Sequence, residues 1–393
     1  MQINQIHNID CKIGLREYPE NFAHSIVTDP PYELGFMGKA WDKTGIAYST
    51  DFWHECYRVL RPGGYLLAFS GTRTYHRMAC AIEDAGFEIR DKIDYFYDGS
   101  QELLNFINSL SEEQINGLKK LIDQQQITGF MSWIYSQGFP KGIDISKAIN
   151  KIDSSQDIEE KARQWEGWKS LIKPANEPIC VARKPLSERT VAENVLKWGT
   201  GAFNIDGNRI GDAVIKTVGT RKGSGNTYLH DYVSPENYKG ESRVGRFPAN
   251  VIFDEIAGTI LDKQTGILKS GSNCTRRKEG SFVEHGGLGK AGDVQVTYGD
   301  EGGASRFFYC AKASGKERGK YNNHPTVKPT ALIKHLVSLV TPVGGISMDP
   351  FAGSGTHALA CIELGINYIG FEREKTYYDI CLKRIKEHQA KRR

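Results

Sequence analysis

The stretch GGISMDPFAGSGTHALACIELGINYIGFERE, residues 344–374, leaves few folds open to this chain. Gly345 to Asp349 reads as a short buried strand, Pro350 to Gly353 as a tight loop, and Ser354 to Leu364 as a small-residue helix stopped by Gly365. Asn367 to Phe371 reads as a second strand, closed by Glu372. Strand, glycine turn, helix, strand and an acid about 20 residues on is the nucleoside-binding arrangement of a doubly wound sheet, where the acid accepts hydrogen bonds from ribose hydroxyls. The loop lacks the G-x-G-x-x-G run that cradles a pyrophosphate, so a nucleoside without phosphate fits better than NAD. Alone, FAGSG is also compatible with a close helix-strand packing contact; the acid at the right distance is what favours a ligand.

A second apolar run also stops on a carboxylate. In SIVTDPPYELGF, residues 25–36, the strand-like SIVT ends at Asp29, and Pro30 and Pro31 then fix φ near −65° and bias the residues before them toward extended backbone. Open α/β sheets bind ligands outside the carboxyl ends of their strands, and Asp29 and Asp349 both stand at such ends. If those two strands are neighbours, DPPY faces the glycine loop. The competing reading of a bare D-P-P-Y is a polyproline-like turn carrying an exposed tyrosine.

The rest of the chain divides by pattern. Up to Phe96, short apolar runs alternate with helix-like stretches: INQIHNID, HSIVTD, FWHECYRVL leaving through RPGG into YLLAFS, then RMACAIEDAG. Gln101 to Gln126 carries apolar residues at helical spacing and reads as an inserted helical hairpin, bounded at about 99–128. A polar helix follows around Ile145 to Trp165, and PICVAR reads as another strand. From about Pro185 to Glu301 the periodicity fades into Gly, Asn, Ser, Lys and Arg, which suits a substrate-reading lobe or a loosely ordered surface segment. The expected division is 1–184, a lobe at 185–304, and 305–393 completing the first part.

Composition excludes several classes. Among 393 residues, 39% are apolar and 10% aromatic, as in a folded soluble protein. No apolar run approaches the roughly 20 residues that span a bilayer, and MQINQIHNIDCK lacks a signal-peptide pattern, so a cytoplasmic protein without a membrane partner is expected. The eight cysteines include no C-x-x-C pair, which argues against a disulfide framework and a zinc site. A net charge of +4 permits a polyanionic partner without requiring one.

With TDPPY at 28–32, RVLRPGGYLLAF at 58–69, HPTVKP at 324–329, DPFAGSGT at 349–356 and GFERE at 370–374, the chain resembles the amino-group DNA methyltransferases that modify adenine N6 or cytosine N4. The order, DPPY before the F-x-G-x-G loop, is that of the family's permuted beta group. WEGWKSLIKPANEPICVARKPL and VAENVLKWGTGAFNID are similar to its phage- and prophage-associated branch; the helical hairpin departs from the family pattern. The resemblance implies a methyltransferase-type, Rossmann-like, mostly parallel sheet with an inserted DNA-recognition lobe, S-adenosyl-L-methionine as cofactor and double-stranded DNA as partner. A homodimer and a restriction endonuclease partner are left open.

The implied chemistry follows from residue types. An exocyclic base amine is a poor nucleophile and must be held through its hydrogens: Asp29 can accept one N–H and, by resemblance, the Pro30 carbonyl the other. Orientation, with Pro31 stiffening the turn, then favours direct attack on a sulfonium methyl, the proton leaving afterwards. A base in a duplex must be flipped out, and Tyr32 offers it a stacking face. The family pattern places Phe351, Ala352, Gly353, Ser354 and Gly355, with Asp349, around the cofactor and Glu372 on its ribose. It puts Thr326 and Lys328 near the methionine carboxylate, and Asp10 and Cys11 beside the same pocket. Lys328 could equally be an exposed charge, and His324 is expected to be structural. Arg221, Lys222, Arg243, Arg246, Arg276, Arg277 and Lys278 are candidate phosphate contacts, each weighed against a solvated surface charge. Adenine N6 is favoured because the motif begins with Asp. Cytosine N4 is the alternative, then a catalytically silent DNA-binding regulator. A dehydrogenase is disfavoured by the missing dinucleotide fingerprint.

Overall fold

The computed structural model describes residues 2–35, 40–91, 130–134, 144–152, 156–170, 176–216, 242–269, 274–275, 294–295, 300–311, 321–322, 324 and 327–392. The chain forms two compact units, one from Met1–Asn204, Asn250–Asp254 and Ala311–Arg393, the other from Ile205–Ala249 and Glu255–Cys310. The strands used below are β1 (Gln5–His7), β2 (Ala23–Thr28), β3 (Leu60–Phe69), β4 (Glu88–Ile89), β5 (Phe130–Ile134), β6 (Asn176–Arg183), β7 (Ile210–Lys216), β8 (Ser242–Arg246), β9 (Val251–Asp254), β10 (Ile346–Asp349) and β11 (Asn367–Phe371). The helices are α1 (Cys11–Arg16), α2 (Thr50–Val59), α3 (Tyr75–Asp84), α4 (Ile145–Ile152), α5 (Gln156–Arg163), α6 (Val191–Trp198), α7 (Glu255–Thr265), α8 (Thr330–Val340), α9 (Thr356–Leu364) and α10 (Lys375–Arg392).

The first unit is built on a sheet of order β1-β11-β10-β2-β3-β6-β5-β9, with β4 also paired to β6. From β1 to β3 neighbouring strands run parallel. β6 runs against β3, β4 and β5. The chain leaves β2 through α2 to β3 on one side, and leaves β10 through α9 to β11 on the other. The strand order therefore reverses between β2 and β10, where doubly wound sheets open a crevice at their carboxyl ends. This is the α/β, mostly parallel class expected from residues 344–374.

Alternation along the strands decides what packs on each face. Ile26, Met348, Leu66 and Ile369 join Leu15, Phe52, Trp53, Cys56 and Met78 from α1, α2 and α3 in one apolar core. Their neighbours Ser25 and Ser347 point to the opposite face, which α8 and α9 cover. There Ser25 Oγ donates to Ser347 Oγ at 2.9 Å and lies 2.7 Å from Thr341 Oγ1, and Ser347 Oγ lies 2.8 Å from His357 Nε2. Each of these buried polar groups has a partner, the condition on which burying them is tolerated. Burial pushes the imidazoles down, His357 to about 3 and His335 to about 4, while burial and the Arg61 charge bring His24 to about 4.

Several local expectations shift. The helix after the glycine loop starts at Thr356, because Gly355 takes φ +84° as its N-cap. The segment 145–165 divides into α4 and α5. RPGG stays inside β3, with a register shift opposite Ala23 and Ser25. The lobe's expected start at 185 is not where the units divide. Residues 185–204 belong to the first unit, where α6 is held by a Thr190/Glu193 capping box and Asn194 donates to the carbonyls of Pro62 and Thr200. β9 likewise joins the first sheet beside β5. In the second unit β7 and β8 pair antiparallel, and Asp262 on α7 accepts from the backbone and hydroxyl of Ser305. The helical insertion expected at 99–128 lies outside the described residues. Cys11, Cys56, Cys80, Cys180, Cys310, Cys361 and Cys381 are free thiols, and among the described residues no helix is long and apolar enough to cross a membrane.

The depressed imidazoles fix a sign. Unfolded His335 takes a proton below about 6.5 but the folded one only near 4, so its contribution to stability is present above about 6.5 and lost as pH falls through 4. His335→Leu should remove about 2 kcal/mol of the stability lost between pH 7.5 and pH 5. Chemical denaturation at the two pH values measures it; an unchanged difference between them would show that His335 is not held neutral.

Candidate active site

Four neighbouring strands deliver acids to one edge of the sheet. Asp29 follows β2, Asp349 ends β10, Glu372 follows β11, and Asp10 lies three residues beyond β1, where it caps α1 by accepting from Lys12 N at 2.9 Å. The register pairs Met348 with Ile26 and Asp349 with Gly370, so Asp29, Asp349 and Glu372 stand along the reversal of strand order.

The glycine loop is held from three sides. Asp349 Oδ1 accepts from Thr28 Oγ1 at 2.7 Å and from Phe351 N at 3.0 Å, tying β10 to β2 and starting the turn. Glu372 Oε2 accepts from Gly353 N at 2.9 Å and Oε1 from Glu374 N at 2.8 Å. From α10, Arg384 Nη1 reaches Ser354 O at 2.7 Å, Ser354 Oγ at 2.8 Å and Thr356 Oγ1 at 3.2 Å. Gly353 has φ +52°, and a Cβ there would lie 3.1 Å from His324 Nε2; at Gly355 it would overlap Cys381 Sγ. Burial raises the carboxyls of Asp349 and Glu372 to about 7 each, against the hydrogen bonds they accept. Phe351 packs on Phe52 with ring centroids 5.3 Å apart, and Cys11 is buried in the core at the start of α1.

DPPY stands beside this loop. Pro30 is buried while Asp29, Pro31 and Tyr32 are half-buried. Tyr32 donates its hydroxyl to Asp29 Oδ1 at 2.9 Å. Lys328 Nζ donates to Asp29 Oδ2 at 2.8 Å and to Tyr32 at 3.1 Å, and forms an ion pair with Glu177 Oε2 at 3.2 Å. Burial alone would lower the Lys328 ammonium; the carboxylates of Asp29 and Glu177 more than reverse that and raise it. Burial raises Glu177, opposed by Lys328 and reinforced by Asp29.

Lys328, expected near the methionine carboxylate, closes a charge cluster with DPPY. The reason is topological. Lys328 precedes Pro329, the N-cap of α8, and α8 packs against β2 and β3, whose carboxyl ends it therefore meets. Arg246 is paired with Asp300, which also takes Arg306 Nε at 2.9 Å, and it donates to the Arg306 carbonyl at 3.2 Å; the two arginines share one carboxylate, so a net positive charge remains there. Arg243 pairs with Asp206 at 3.0 Å on the surface. Thr326, Arg221, Lys222, Arg276, Arg277 and Lys278 lie outside the described residues. His324 packs edge-on against Tyr377 at 4.4 Å. Two residues went unread in the sequence, Glu177 and Arg384. Glu177 had a signal, an acid opening an otherwise apolar strand; Arg384 sits among charges on a polar helix and had none.

A family model described as DNA methylase (N6_N4_Mtase) matches residues 23–383. The Type II methyltransferase M.HindIII of Haemophilus influenzae is 21% identical over 424 aligned positions, covering 98% of this chain and 95% of its own. The DNA adenine methyltransferase YhdJ of Escherichia coli K12 is 41% identical over 66 residues, 17% of this chain and 22% of its own. Among solved structures, the M1.HpyAVI complex with SAM overlays with a TM-score of 0.40 at 16% identity, covering 97% of this chain and 98% of that one.

The grip of α10 on the loop is testable. Arg384→Met leaves three acceptors without their donor, and hydrogen bonds to a charged group are worth about 1.5–3 kcal/mol. Thermal denaturation should show a loss of that order, and a change under about 0.5 kcal/mol would mean the loop does not depend on this arginine.

Proposed function

The chain belongs to the N6/N4 DNA methylase family, and within it we propose that it methylates the exocyclic N6 amine of a flipped-out adenine in double-stranded DNA at a specific site. The observation that carries this reading is the place of Asp29, at the reversal of strand order and one residue from the Thr28 hydroxyl that grips Asp349 of the glycine loop at 2.7 Å. An amine acceptor and a nucleoside loop are thereby held next to each other. An aspartate opening the motif favours adenine, as does the likeness to an adenine methyltransferase over the short shared segment. The order of the two motifs fits the permuted beta group, and likeness to a Type II methyltransferase supports a restriction-modification setting. The two motif runs quoted above support a phage or prophage origin.

A carboxylate has about four lone-pair sites. In Asp29 one oxygen takes the Tyr32 hydroxyl and the other Lys328, which leaves capacity on both for an amine N–H. The Pro30 carbonyl, stiffened by the following proline, accepts the second amine hydrogen, and the Tyr32 ring stacks on the base. Glu372 uses one lone pair of each oxygen on a backbone N–H and keeps the others for a ribose diol, so the residues present fit a nucleoside cofactor. Phe351 to Gly355, with Asp349, Asp10 and Cys11, would border the rest of it. S-adenosyl-L-methionine, when bound there, supplies a methyl group carried on a positive sulfur. The second unit and the segments around it serve as the DNA-recognition lobe, with Arg243 the described cation closest to that role.

Two substitutions separate the amine site from the cofactor site. Asp29→Ala should cut DNA methylation by orders of magnitude while calorimetry finds cofactor affinity nearly unchanged; wild-type activity would defeat the assignment. Glu372→Ala should instead weaken cofactor binding by roughly 1.5–3 kcal/mol. An unaltered cofactor isotherm would remove Glu372 from the ribose.

A further inference from the structure

We infer that Glu177 sets the charge of the amine site: with Asp29 and Lys328 it keeps the buried cluster at one net negative charge, which the methylated nitrogen needs as it becomes positive. The inference rests on the function proposed above. Its origin lies in the topology. β6 is antiparallel to β3, pairing Ile179 with Phe69, so its first residues emerge at the edge where the parallel strands end. Ser70 N donates to Pro178 O at 2.9 Å and fixes that end of β6 beside the exit of β3. Glu177 is thus carried to Lys328, whose ammonium also lies 5.0 Å over the Phe69 ring.

The charges then add simply. Asp29 and Lys328 alone form a pair 2.8 Å apart that cancels, and a neutral pair does little for a cation forming beside it. Glu177 is a second anion on the same ammonium, and the side chains of Lys328 and Glu177 are only 8% and 18% exposed. Charges so placed interact several times more strongly than in water. Had Lys328 merely needed a counter-ion, Asp29 would have sufficed. Lys328, in turn, holds Asp29 and Tyr32 in place without neutralising the site. Glu177 touches neither base nor cofactor in this scheme and acts through Lys328 as a positioning residue.

The groups facing Glu177 are Lys328, Asp29 and Tyr32, and its carboxyl is raised from the ordinary range chiefly by burial. Methylation should therefore fail on the acid side as Glu177 protonates, at a pH above that of an ordinary glutamate. Steady-state and single-turnover methylation of a DNA carrying the mapped target, with S-adenosyl-L-methionine, tests this in four proteins: wild type, Glu177→Gln, Lys328→Met and the double variant. Glu177→Gln should lower kcat about 10–100-fold, with KM for DNA and Kd for the cofactor within twofold, and should lose the acid limb of the pH profile. The double variant, again with one net negative charge on Asp29, should be at least tenfold faster than Glu177→Gln. Glu177→Gln within twofold of wild type, or a double variant no faster than Glu177→Gln, overturns the inference. Should Glu177→Gln fail to fold, Glu177→Asp and Glu177→Ser decide: the aspartate, which keeps the anion, should hold kcat within about threefold of wild type while the serine loses at least about tenfold, and equal rates for the two overturn the scheme. A wild-type protein that methylates no DNA defeats the proposed function itself and not this role.

Discussion

The hydrogen bond from Thr28 to Asp349 joins two parts of the chain that are 321 residues apart in sequence. β2 enters from the N-terminal part and β10 from the C-terminal part, and only their parallel pairing closes the crevice. Asp349 is buried and costly to ionise, and it is kept there by two donors, one from each side of the crevice. Both motifs inherit their positions from it. The glycine loop starts at the residue it fixes, and DPPY starts at the residue after the one it grips.

The same edge concentrates charge that folding alone would not favour. Asp349 and Glu372 are both raised to about 7 by burial, so their share of stability is present below about 4 and is lost as pH rises through 7. Lys328 is buried between two carboxylates and two aromatic rings. A packed apolar set in the same volume would often be as stable or more so. The cluster is better understood as held for chemistry, with the cost carried by the large apolar core under α1, α2 and α3.

Much of this was legible in the residues, for physical reasons. The strand, loop, helix and strand of residues 344–374 were readable because period-2 and period-3.6 patterns alternate there and glycines sit where φ must be positive. Asp29 and Glu372 were readable because each ends a strand. Lys328 could be named but not placed, since its direction depends on how α8 lies on β2 and β3. Glu177 was hidden because a strand's sense is not written in its composition: parallel to β3, β6 would have carried the same acid to the opposite edge. The place of 185–204 was missed although the capping box Thr190 to Glu193 was there to be read, because the surrounding Gly and polar residues drew attention to the fading periodicity. Arg384, one charge among many on α10, becomes distinctive only once the loop it grips is in place.

The central claim is that this edge of the sheet methylates an amine of a DNA base. The most direct measurement is to incubate the protein with duplex DNA and S-adenosyl-L-methionine labelled in its methyl group, digest the DNA to nucleosides and identify the labelled one by mass spectrometry. The account predicts the label in N6-methyladenine. Label in N4-methylcytosine would keep the amine chemistry and contradict the base assignment, and label on a ring carbon, or none in DNA, would contradict the account.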